Sequence, residues 1–193
     1  MKTVNLIIHT VHRYLRRISP LWWGALLVII GITLRDNLRQ RKTRGRTSED
    51  MALDILFLTY VFLVIIATFG TRLPDPSGAY MLTPFYAYTQ WLRNGSLSDA
   101  IQILFNIALF IPLGLLAPRW FERLFEHVFR FPEFLIFAFL CSLSIELTQL
   151  ITRIGCFELD DLFNNTLGAV LGFAAQFILR RVIQNVRKCK MEE

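Results

Sequence analysis

Histidine and cysteine are scarce in this chain of 193 residues, three of each. His9, His12 and His127 lie apart from the main cluster of polar residues, which removes the usual general base and the usual zinc ligand from it. Ser142 and Ser144 therefore have no visible activator for nucleophilic chemistry. Cys141, Cys156 and Cys189 are odd in number, too far apart for a metal-ligand spacing and too few for a disulfide framework. Acidic residues are outnumbered by basic ones, 15 against 21, for a net charge of +6. The basic residues sit in blocks between apolar runs, without a basic stripe or a nucleic-acid-binding motif. Anionic lipid headgroups, not nucleic acid, are the expected counter-charge. No repeat or low-complexity segment appears.

What is abundant is apolar. Hydrophobic residues make up 54% of the chain, Phe alone contributes 17, and the mean hydropathy is +0.44. Those values move the expectation from a soluble domain to the bilayer. The apolar runs at 18–34, 51–69, 100–117, 134–151 and 162–179 predict an all-α, polytopic transmembrane bundle of about five spans. The first run carries Trp22 and Trp23 at one end and is at the lower limit for crossing a core of about 30 Å. It is preceded by a basic segment, as in a signal peptide, but no small-residue cleavage site follows Leu34, so it is expected to be retained.

Between the runs, residues 1–20 pattern as a short interfacial helix and 35–50 as a solvated Arg-rich loop. The next long link, about residues 70–99, holds Pro74, Pro76, Gly78, Pro84 and Gly95 among Tyr80, Phe85, Tyr86, Tyr88 and Trp91. It reads as a loop whose rings form either an interfacial belt or a stacking wall for a ligand. Residues 118–133 show a 3.6-residue period and predict an amphipathic interfacial helix. The organisation is an N-terminal part, 1–50, and a main transmembrane part, 51–193.

Placing the C-terminal tail in the cytoplasm puts 14 of the 21 basic residues inside with five crossings. If the first run is re-entrant the number is 18. Either way the chain is expected in the cell membrane, multi-pass, with the third span running inward and the fourth outward. Asn106 and Glu146 then reach a similar depth, about 9 Å below the outer surface at 1.5 Å per residue.

The main polar cluster lies at 141–172. Ser142, Glu146, Gln149 and Arg153 recur at helical spacing on one face, while Asp160 and Asn164, and Asp161 and Asn165, are pairs four apart at the start of the fifth span. Acidic residues there suit the positive end of a helix dipole. Ionisable groups within a membrane are costly and need partners, water or a function. Together these residues predict one polar, ligand-binding pocket opening to the outer face, with Asn106 joining from the third span. Gly168 and Gly172 form a small-xxx-small pair for close helix packing.

The segments LTPF (82–85), FNIALFIPLG (105–114), SLSIELTQL (142–150) and FELDDLFNNTLGAVLG (157–172), in this order and spacing, resemble the motifs of the VanZ-like membrane proteins. The resemblance covers a motif core of about 82–175. It implies a bacterial membrane protein of a family whose founding member is associated with teicoplanin resistance, and it brings no established reaction. Carried over by that resemblance, the family's recurrent polar motif residues are Asn106, Glu146, Gln149, Asp160, Asp161, Asn164 and Thr166. Glu158 stands where Asp is frequent, and Tyr86 where a basic residue often follows the Pro-Phe pair.

Three functions fit these residues. The pocket binds a cell-envelope amphiphile or lipid-linked wall precursor through Asn106, Glu146, Gln149, Arg153, Asp160, Asp161, Asn164 and Asn165. Alternatively, Glu146, Asp160 and Asp161 are catalytic, as an acid or base or as ligands of a divalent cation. In the third, the polar groups are interhelical glue in a membrane scaffold. The sequence identifies no cofactor and no defined metal site, leaving the bilayer itself and a membrane amphiphile as the expected partners.

Overall fold

The computed structural model describes residues 19–44, 47–70 and 80–189. The described chain is almost entirely helical. Five helices are long and apolar enough to cross a bilayer: Leu21–Gln40, Ser48–Gly70, Leu97–Phe125, Phe131–Thr152 and Leu159–Val186. The chain is a multi-pass, all-α membrane protein. The expected interfacial helix over 1–20 falls almost wholly outside the described residues, as do 71–79 of the long link and the last four residues of the tail. The described residues form two compact units.

In the first unit, α1 (Pro20–Arg44) begins with proline at its first position, where the missing N–H costs nothing. It does not stop at Leu34. The expected basic loop is helical as far as Arg44, because 35–44 contains neither Gly nor Pro and is rich in good helix formers. Then Thr47 opens α2 (Ser48–Ile65) with a capping box: its hydroxyl accepts from Asp50 N, and the Asp50 carboxylate accepts from Thr47 N at 3.0 Å. A π-helical turn, Ile66–Gly70, completes the span. Trp22 near the start of α1 meets Phe62 near the end of α2, with ring centroids 5.9 Å apart, so the two helices are antiparallel. Leu26, Phe62 and Ile66 form their buried seam.

The second unit contains β1 (Tyr80–Met81), α3 (Tyr86–Asn94), α4 (Leu97–Phe125), α5 (Phe131–Thr152), β2 (Phe157–Glu158) and α6 (Leu159–Cys189). The amphipathic helix outside the five spans is α3, within the stretch expected to be loop. Gly95, with φ +62°, ends α3, and Ser96 caps α4. Residues 118–125, expected in a separate surface helix, are instead the last two turns of α4, and 126–130 are not helical. Ala117 and Pro118 are both buried, and that packing carries α4 through its second proline.

The closest packing in this unit joins α4 to α6. A Cβ on Gly114 would stand 2.0 Å from Ala169 O, one on Gly168 2.1 Å from Ile107 O, and one on Gly172 2.0 Å from Ile111 O. The glycines let two backbones touch, which is how helices associate strongly when lipid supplies no hydrophobic drive between them. Helix α5 joins through side chains. Phe134 stacks on Phe173 at 4.5 Å, and its buried positions Phe134, Ala138, Ser142, Glu146 and Gln149 recur every three to four residues. Gly172→Val should therefore force α4 and α6 apart and destabilise the protein by about 1–3 kcal/mol, an overpacking cost. Gly24→Ala, which meets nothing within 4 Å, should cost no stability. Thermal unfolding in detergent separates the two.

Candidate functional site

The opening turn of α6 is a junction. Asp160 and Asp161 are adjacent, so their side chains leave the helix about 100° apart and reach different neighbours. Asp160 Oδ1 accepts from Phe85 N at 2.6 Å, and Oδ2 accepts from Ala87 N at 2.8 Å. A carboxylate more than seventy positions away thus caps α3, whose own N-cap residue, Phe85, provides no side-chain bond. Phe85 has φ +58°, an unusual conformation for a bulky residue. It is held there by the Asp160 bond and by edge-on contacts with Tyr88 and Phe163.

Asp161 turns to α4, where Asn106 Nδ2 donates to its Oδ1. One turn further on, the Tyr88 hydroxyl donates to Asn164 Oδ1. Burial, and secondarily the Asp160 charge, push the Tyr88 phenol above its ordinary pKa, which keeps that donor proton in place. Asn165 turns to α5, its Nδ2 donating to Ser142 Oγ at 3.1 Å. Glu146 Oε2 accepts from Glu158 N at 3.1 Å, and the Glu158 side chain accepts from Gln102 of α4. The parallel pairs Tyr80 with Phe157 and Met81 with Glu158 tie the chain ahead of α3 to the chain ahead of α6.

The structure therefore brings Asn106, Glu146, Asp160, Asp161, Asn164 and Asn165 into one network, all at most 8% exposed. Gln149 is fully buried on the same face of α5 as Ser142 and Glu146. Arg153 departs from that stripe. It follows the last helical residue in a left-handed conformation, φ +55°, which breaks the register, and it is exposed. Thr166 bonds back to Leu162 O within its own helix. Tyr88 and Gln102 were absent from the expected site, although Gln102 stands four residues from Asn106 and that spacing was a signal for it. Tyr88 had no comparable signal, being one ring among many.

The carboxylates are spread over separate partners. Among the described residues no group of three His, Cys, Asp or Glu side chains could hold a metal ion. One atom of the network is unanswered: Asn165 Oδ1 is enclosed without a hydrogen-bond partner. An enclosed acceptor of that kind costs about 1–3 kcal/mol unless a donor meets it.

A family model described as VanZ/LLP1 matches residues 55–180, which takes in the whole junction and the three glycines of the α4–α6 contact. No curated protein and no solved structure matches the chain.

Asp160→Ala should free the start of α3. The two lost bonds to a charged acceptor are each worth about 1.5–3 kcal/mol. Amide hydrogen exchange over 85–94 should rise at least about tenfold, the equivalent of 1.4 kcal/mol, while the α1–α2 unit keeps its protection. Unchanged exchange over 85–94 would show that α3 does not depend on the cap.

Proposed function

This chain belongs to the VanZ/LLP1 family, and from that premise we propose that its polar centre binds the headgroup of a bacterial cell-envelope amphiphile or lipid-linked wall precursor. The observation that carries the reading is Asn165 Oδ1, an enclosed acceptor without a donor in a network whose neighbouring groups are paired. Asn165 bonds Ser142, and Glu146 lies one turn along α5 from Ser142. An unanswered carbonyl near a carboxylate favours a ligand rich in donors, a sugar hydroxyl or an ammonium group. The exposed rings of Phe85, Tyr86 and Trp91 on and beside α3 offer the amphipathic surface such a headgroup meets at a membrane interface.

The centre faces outward and the C-terminus lies in the cytoplasm, as the basic residues favour. Binding at that face would alter what a glycopeptide such as teicoplanin meets at the envelope, the role that the resemblance attaches to the family's founding member. A second reading is favoured by the protein donors already held by Asp160, Asp161 and Glu146: the centre is interhelical glue in a membrane scaffold. A carboxyl acting as acid or base stays a third, with Glu146, Asp160 and Asp161 its candidates.

Lipid mass spectrometry separates the first two readings. Protein purified in mild detergent should retain an amphiphile bearing hydroxyl or amine groups, and Asn165→Leu should lose most of it while the melting temperature falls by no more than a few degrees, since it deletes one bond to Ser142 worth about 1 kcal/mol. An identical lipid profile in both proteins, with a lower melting temperature in the variant, is the scaffold's outcome.

A further inference from the structure

A second site lies at the other end of α6. About 22 Å along the helix from Asp161, at 1.5 Å per residue, a half-open groove of about 610 Å³ is framed by the last turns of α4, the 126–130 link and the second half of α6. Its walls are apolar, chiefly Phe129, Phe131, Phe173 and Phe177. Phe131 and Phe177 are each about half exposed, at 51% and 48%.

Its polar lining is three arginines, one glutamate and two amides, Gln176 and Gln184. Arg130, Arg180 and Arg181 line it against a single carboxylate, Glu122, which pairs with Arg180. Arg181 lies over the Phe177 ring, 4.5 Å from the centroid, and its stem and guanidinium are thereby set along the groove wall. With Glu122 committed to Arg180, two positive charges remain without a matching carboxylate in the lining.

Gln176 is the second, independent observation. It lines the groove, is only 5% exposed, and its Nε2 is enclosed with no acceptor. A buried amide donor without an acceptor is a cost that the fold does not offset internally. It sits in an otherwise apolar stretch of α6, GFAAQFIL, where a Leu would pack without that cost.

We propose that this groove holds one anionic phospholipid. Its phosphate oxygens pair with Arg130 and Arg181 and accept from Gln176 once that side chain turns its enclosed Nε2 into the groove, and an acyl chain lies along Phe131, Phe173 and Phe177. An acceptor-rich, negatively charged group at the edge of hydrocarbon answers all three features together: the orphaned donor, the unbalanced arginines and the exposed rings. The site is separate from the junction around Asp160, where the unanswered atom is an acceptor, so each selects a different headgroup chemistry.

The test uses the full chain in nanodiscs of phosphatidylcholine containing a minority of phosphatidylglycerol. After release into detergent, native mass spectrometry counts the lipids that stay bound. Wild type should keep phosphatidylglycerol over phosphatidylcholine by about fivefold or more, the size of one arginine's attraction to an anionic lipid surface. The pair Arg130→Gln with Arg181→Gln should abolish that preference, and Gln176→Leu, which removes a donor to the phosphate that both lipids carry, should lower the total lipid retained, neither change lowering the melting temperature. Excess inorganic phosphate should not displace the lipid, because it lacks the chain. Equal retention of the two lipids by wild type, an undiminished preference in the stably folded arginine pair, or undiminished lipid retention by stably folded Gln176→Leu would overturn the proposal. So would displacement by free phosphate. Loss of lipid at the Asn165 site leaves this result untouched, so the two sites fail independently.

Discussion

Hydrocarbon offers no hydrogen-bond partner, so every polar group buried in a membrane bundle must be answered from within. In this protein that demand converges on the first two turns of α6. Asp160 reaches the backbone of α3, Asp161 the Asn106 amide of α4, Asn164 the Tyr88 hydroxyl and Asn165 the Ser142 hydroxyl of α5. Four polar positions in the first two turns of one helix thus set the places of three others. The same turn is the positive end of the α6 dipole, which lowers the cost of holding two carboxylates there.

Everything along α6 then follows by distance from that turn. Gly168 and Gly172 come about two and three turns later and bring the α4 backbone into contact, with Gly114 answering from the other side. Phe173 stacks on Phe134 and closes α5 against the same helix. Beyond Phe173 the packing opens, and Gln176 lines the groove with its enclosed Nε2 unanswered. One helix therefore carries a polar junction, a backbone contact and a basic, aromatic groove in sequence. The two orphaned atoms, Asn165 Oδ1 and Gln176 Nε2, are opposite in sense, which is why the two sites are assigned different headgroup groups.

The spans were legible because apolar runs of this length have few alternatives, and the Asn106–Asp161 bond joins two residues that the sequence singled out as polar positions in or at the start of apolar spans. The ends of the spans were less legible. Arg35–Arg44 and Pro118–Phe125 lower the local hydropathy, yet the helices continue, because helix propensity and the burial of Ala117 outlast the apolar composition. Helix α3 was illegible for a physical reason: its cap is Asp160, far away in the chain, and its own start carries none of the usual capping residues. Arg153 looked like a member of the α5 stripe, but periodicity does not foresee a left-handed residue ending the helix one position earlier. The groove needed Phe129 and Phe131 folded against α6 before Gln176 meant anything.

The first turn of α6 ties the bundle together through specific side-chain pairs. A double-mutant cycle on Asn106→Ala and Asp161→Ala, read by reversible unfolding in detergent micelles, measures one of those ties without the other contacts of either residue. A buried amide-carboxylate pair should show a coupling of about 1–2 kcal/mol, at or above the upper part of the range for interhelical polar contacts in membranes. Additive single effects, with a coupling indistinguishable from zero, would contradict it.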